Sequence, residues 1–155
     1  MKRALLVAMV LLASPATVAV AAPASQCFRP PEIEAEQAIR YQAELMVLSD
    51  SCGAEQTYVG WTTRVRKVLV GYQKALIEHF RRAGSGHHAE AAFDSYLTKL
   101  ANEASLRTGR EPVAAVCQRA ADFLAKADRA GEEDFRQYAA AQAVDHRPDY
   151  QTCVK

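Results

Sequence analysis

Four cysteines, Cys27, Cys52, Cys117 and Cys153, all follow an amino-terminal segment patterned like an export signal, and this combination constrains the fold more than any other feature. Lys2 and Arg3 supply a positive start, and Ala4 to Ala13 is almost wholly apolar. Ala19-Val20-Ala21 or Ala22-Pro23-Ala24 then offers the small-x-small pattern that signal peptidase cleaves. Residues 1–24 therefore read as a signal peptide, cleaved after Ala21 or Ala24, and residues 25–155 as a single helical domain. Ser14, Pro15 and Thr17 interrupt the apolar run before it reaches the about 20 residues of a membrane anchor. Gln26 precedes Cys27 where a lipidation site needs a small residue, so Cys27 is available for pairing. Export to the periplasm or out of the cell puts these thiols where disulfides are the default state.

Loss of Lys2 and Arg3 with the leader turns the net charge from +1 to −1. A near-neutral chain has no global attraction for nucleic acid or an anionic membrane. No later segment is apolar enough to span a bilayer, so no transmembrane segment is expected in the mature chain.

Glycines at 53, 84, 109 and 131 each follow a stretch of helical periodicity, where a left-handed cap favours glycine. A first helix follows Pro30-Pro31 and runs from Glu32 to Cys52, with Ala38, Tyr41, Leu45, Leu48 and Cys52 on one face. A second carries Tyr58, Trp61, Val65, Leu69, Tyr72, Leu76 and Phe80 as one stripe, flanked by Val70 and Ile77. The third follows Gly84-Ser85-Gly86, with Ser85 as its N-cap and Phe93, Leu97, Leu100 and Ala104 inward. Glu111-Pro112 opens the fourth, where Val113, Val116, Cys117, Ala120, Phe123, Leu124 and Ala127 fill the inner side. A short fifth helix spans Glu132 to about Val144, and the tail from about 145 is irregular because Pro148 blocks helix continuation. No convincing strand alternation occurs. The expected fold is an all-α, up-and-down bundle of four main helices with a short fifth, stapled by disulfides.

Helix geometry chooses among the three possible cysteine pairings. An unbroken helix from Glu32 to Cys52 separates its ends by about 30 Å, whereas a disulfide needs its Cα atoms within about 7 Å. Pairing of Cys27 with Cys52 is thereby excluded. In an up-down-up-down bundle the end of the first helix lies beside the start of the fourth, which favours Cys52 with Cys117 and Cys27 with Cys153 over the alternative of Cys27 with Cys117 and Cys52 with Cys153, where Cys27 must reach the far end of the bundle. No C-x-x-C pair is present to support redox catalysis, and none of the cysteines has a ligand partner at zinc-chelate spacing.

The chemistry-bearing residues form two groups. Arg64, Lys67, Lys74 and Arg81, extended by Arg82, make a basic line on the second helix suited to an acidic protein or envelope component. His79, His87 and His88 gather near one end of the bundle as an alternative metal set, suited to Zn or Cu. Met46 and His146 are the conceivable haem ligands, but C-x-x-C-H is absent. Glu-x-x-His, H-E-x-x-H, G-x-S-x-G and glycine-rich phosphate loops are missing too, so no catalytic residue is assigned and no cofactor is expected. Trp61 falls in register with the core stripe. The leading expectation is an exported non-enzymatic bundle that binds a partner in the cell envelope or outside the cell. A histidine metal protein is the alternative, and a hydrolase the third reading.

Overall fold

The first long helix is the axis on which everything else packs. The computed structural model describes residues 27–153, so the leader reading lies outside the described residues. The chain runs through α1 (Pro30–Ser51), α2 (Glu55–Arg64), α3 (Arg66–Phe80), α4 (Ala89–Thr108), α5 (Val113–Arg129) and α6 (Glu132–Asp145). Helix α1 packs against all five of the others. This is an all-α, disulfide-stapled bundle, and among the described residues no helix is long and apolar enough to cross a membrane.

Helix α1 is buried on more than the single face its periodicity indicates. Ala35, Ala38 and Ala43 have no exposed surface, and their small side chains let neighbouring helices approach closely, while Ile33, Ile39 and Leu45 fill the spaces between. Its start is fixed by Pro30 and by the Glu32 carboxylate, which accepts the Arg29 backbone N–H at 2.8 Å, as a residue at that position does in a capping box. At its end Gly53 takes φ +63, and the next amide, Ala54, donates back to the Ser49 carbonyl at 2.8 Å.

The stripe from Tyr58 to Phe80 is carried by two helices rather than one. The break falls at Val65, whose backbone leaves the helical region (φ −99, ψ 9). Its local cause lies one turn earlier, where the Thr62 hydroxyl donates to the Tyr58 and Val59 carbonyls and the Thr63 hydroxyl to Val59. Hydroxyls that bond back onto the preceding turn in this way bend helices. Trp61, Val65, Leu69 and Leu76 nevertheless remain in one core.

Other boundaries shift for equally local reasons. Gly84 is left-handed, but Gly109 is right-handed helical and Gly131 extended, so those two act as breaks without the glycine-specific cap. Helix α4 begins at Ala89, because a π turn over Arg81–Ser85 and a 3₁₀ turn over Gly86–His88 intervene, and Ser85 caps nothing. Val113 lies on the open first turn of α5 and is exposed, while Val116 and Ala120 form a small cluster with Leu48.

Both disulfides have the pairing that helix geometry selects. Cys52 at the end of α1 joins Cys117 in the second turn of α5, with Cα atoms 5.5 Å apart. Cys27 joins Cys153 at 4.9 Å. The tail after α6 makes one 3₁₀ turn, Arg147–Asp149, then returns along the start of α1, where Phe28 pairs with Thr152 in an isolated parallel bridge.

Candidate functional site

Two groups of polar and aromatic residues stand out, a hydrogen-bonded one and a larger open one. The hydrogen-bonded group lies on α1, where Glu32 and Glu36 are one turn apart and both buried, and Glu36 with Arg40, Tyr96 and Tyr150 borders a cleft of about 340 Å³. Glu36, 1 % exposed, accepts hydrogen bonds from the Tyr96 and Tyr150 hydroxyls, from Arg40 Nε at 2.8 Å and from Gln37 Nε2 at 3.1 Å. Burial and the neighbouring Glu36 charge push the Tyr96 and Tyr150 hydroxyls well above the ordinary phenol range. Glu32 accepts from Arg82 Nη2 at 2.6 Å and lies 3.2 Å from His79 Nδ1, while Arg82 also donates to the Cys27 carbonyl at 3.0 Å. The His79 ring stacks on Phe28, with centroids 4.0 Å apart. These carboxylates tie both ends of the described chain to the axis helix.

The open group is a cleft of about 650 Å³ between α5 and α6, floored by α1 and α2. It exists because α5 packs mainly on α1 and α2 and makes few contacts with α4 or α6. Tyr41, Trp61, Phe123, Phe135 and Tyr138 line its interior. Their rings form a continuous set around Tyr41, with centroids 5.4 Å to Trp61, 4.9 Å to Phe123 and 4.7 Å to Tyr138, while Trp61 and Phe135 meet edge to face at 4.9 Å. Burial, with Tyr138 and Glu44 nearby, pushes the Tyr41 hydroxyl up to about 12. A second cleft of about 500 Å³ continues toward α4 and shares Arg119, Phe123 and Tyr138 with the first.

Trp61 is 0 % exposed, and its indole N–H has no acceptor among the described residues. A buried donor left in that state costs about 1–3 kcal/mol, which is why such groups in folded proteins nearly always have a partner. The Gln42 Oε1 and Ser49 Oγ atoms are also buried without partners, but neither residue lines the cleft.

The wall formed by α5 is held at both ends. Cys117 anchors its start. At its finish the Arg64 guanidinium donates to three terminal carbonyls, Ala127 at 2.9 Å, Asp128 at 2.6 Å and Ala130 at 3.2 Å. A cation in that position satisfies the carbonyls that a helix end leaves open. Gly60, one turn before Arg64, gives the guanidinium room, since a Cβ there would lie 3.2 Å from Arg64 Nη1.

The basic line is divided by these contacts. Arg64 serves α5, Arg81 pairs with Glu78 and Arg82 turns inward to Glu32, while Lys67 and Lys74 remain exposed beside Arg66 along a shallow groove on α3. The histidines are divided too. His79 is buried against Glu32, whereas His87 and His88 are exposed neighbours with ring centroids 3.8 Å apart. Among the described residues no three His, Cys, Asp or Glu side chains are grouped as a metal site.

Sequence reading places Trp61 in the core but gives no sign of its unanswered N–H, because the rings packed on it include Tyr41 and Phe135 from other helices. Glu32 and Glu36 leave one sequence signal, their i, i+4 spacing with Arg40 next in line. No protein-family model, curated protein or solved structure matches the chain.

Proposed function

We propose that the protein is exported and acts by binding, in the periplasm or outside the cell, with the aromatic cleft between α5 and α6 as its site. The leader pattern of residues 1–24 and the two disulfides support an oxidising compartment. The observation that carries the binding role is the cleft itself, whose volume falls in the range of small-molecule sites and whose interior is walled by aromatic rings. A catalytic role has less support, because Glu32 and Glu36, the two buried carboxylates, are committed to partners within the chain.

The exposed Lys67 and Lys74 favour a second contact surface for an acidic partner, with Arg66 beside them, although Arg64 and Arg81 are occupied elsewhere. Such a surface is compatible with a binding protein of either kind.

Native mass spectrometry of the protein recovered without denaturation from its own compartment tests the proposal. The expected spectrum has the disulfide-bonded chain plus a non-covalent small-molecule mass that denaturation releases. Tyr138→Ala, which removes a wall shared by both clefts, should lower the loaded fraction several-fold. Recovery of the bare chain alone from wild type would contradict it.

A further inference from the structure

We infer that the cleft selects small amphipathic acids, molecules with an apolar or aromatic body and one anionic head group, a specification that rests on the binding role proposed above. The interior decides the body. Five aromatic side chains bound a space of about 650 Å³, which is enough for a compact apolar molecule and too little for a folded partner. Trp61, fully buried, closes the floor of that space with its ring.

The mouth decides the charge. Arg119, Asp122, Lys126 and Arg129 follow one edge of α5 and line the cleft, with Asp134 across from them on α6. Arg119 is engaged by Glu111 through both guanidinium nitrogens, and Asp134 accepts the Gly131 N–H at 2.9 Å. Lys126 and Arg129 form no ion pair among the described residues, and Asp122 and Asp134 are the two carboxylates of the lining that oppose them. The Arg64 guanidinium lies at the same end of α5, bonded to the Ala130 carbonyl of the cleft wall, and adds to the positive field. An organic cation would meet two or three like charges there. A carboxylate or sulfonate instead gains charge-assisted hydrogen bonds from Lys126 and Arg129 while its body covers the rings.

A matched pair of fluorescent probes tests the inference on the intact, disulfide-bonded protein: the aromatic sulfonate 1-anilinonaphthalene-8-sulfonate and its uncharged analogue N-phenyl-1-naphthylamine. Trp61 is the sole tryptophan and lines this cleft, so quenching of its emission reports probe binding, and the charge variants assign that binding to the cleft. The sulfonate should quench Trp61 and bind at least about tenfold more tightly than the neutral analogue. The Lys126→Gln/Arg129→Gln double variant should lose about tenfold for the sulfonate and change the neutral probe less than twofold. Lys67→Gln/Lys74→Gln, an equal charge change on α3, should leave both affinities as they were. Equal affinity for the two probes, an unaffected Lys126→Gln/Arg129→Gln variant, or an equal loss in the α3 control would overturn the anion selectivity while leaving an apolar binding cleft in place. Failure of both probes to quench Trp61 would overturn the selectivity and the cleft reading together.

Discussion

Proton sensitivity in this molecule is concentrated in the Glu32, His79 and Arg82 group. Burial raises the Glu32 carboxyl, but hydrogen bonds from the Arg29 amide, Arg82 and His79 outweigh it and hold the group below its ordinary 4.5. Burial lowers His79 below its ordinary 6.5, with Glu32 opposing the shift and Arg82 adding to it. A group whose folded-state value is depressed stabilises the fold above its unfolded value and loses that contribution as pH falls. Both therefore work in one direction: stability should be level from pH 8 to 7, decline below about 6.5 as His79 protonates in the unfolded chain, and decline again below about 4.5 through Glu32. Urea unfolding across this range checks it, and His79→Gln should flatten the upper part of the decline. A wild-type midpoint that stays constant from pH 7 to pH 5 would contradict the assignment. None of this is legible in the sequence beyond the i, i+4 spacing of Glu32 and Glu36, because His79 and Arg82 reach them from the end of another helix.

At the scale of elements, α5 is a helix tethered at both of its ends. It lies on α1 and α2, with the Cys52–Cys117 bond at one end and Arg64 at the other. The disulfide closes a 65-residue separation, which the chain-entropy model values at about 4 kcal/mol. Cys52→Ser/Cys117→Ser should lower unfolding free energy by about 2–4 kcal/mol in urea titration, with amide exchange accelerating most in α5. Exchange that quickens equally in α3, α4 and α5 would show that the bond has no local role. Helix periodicity makes α5 visible in the sequence, and an unbroken α1 makes its tether deducible. The same periodicity fails for α1 as a whole, since it detects one apolar face and this helix is covered on several, with alanines and satisfied carboxylates on the others. It also passes over the break at Val65, because the side-chain stripe continues across it while threonine hydroxyls bend the backbone.

For the whole molecule, the two bonds give complementary kinds of security. Cys27–Cys153 joins segments 126 residues apart and closes the chain's ends over the buried Glu32 and Glu36 groups. Cys52–Cys117 fixes the cleft wall. The result is a frame that carries a hydrogen-bonded polar cluster around Glu36 and an aromatic cleft between α5 and α6. That contrast is the basis for treating the cleft as the working surface, and the exposed lysines of α3 as secondary to it.

The indole N–H of Trp61 gives the most direct measurement, because the chain contains one tryptophan and so yields one indole cross-peak in a proton–nitrogen NMR spectrum. On titration with 1-anilinonaphthalene-8-sulfonate, that cross-peak should move together with the amides of Phe123, Lys126, Arg129 and Tyr138. An indole resonance that stays in place while the amides of Lys67 and Lys74 shift would contradict the account and transfer binding to the α3 surface.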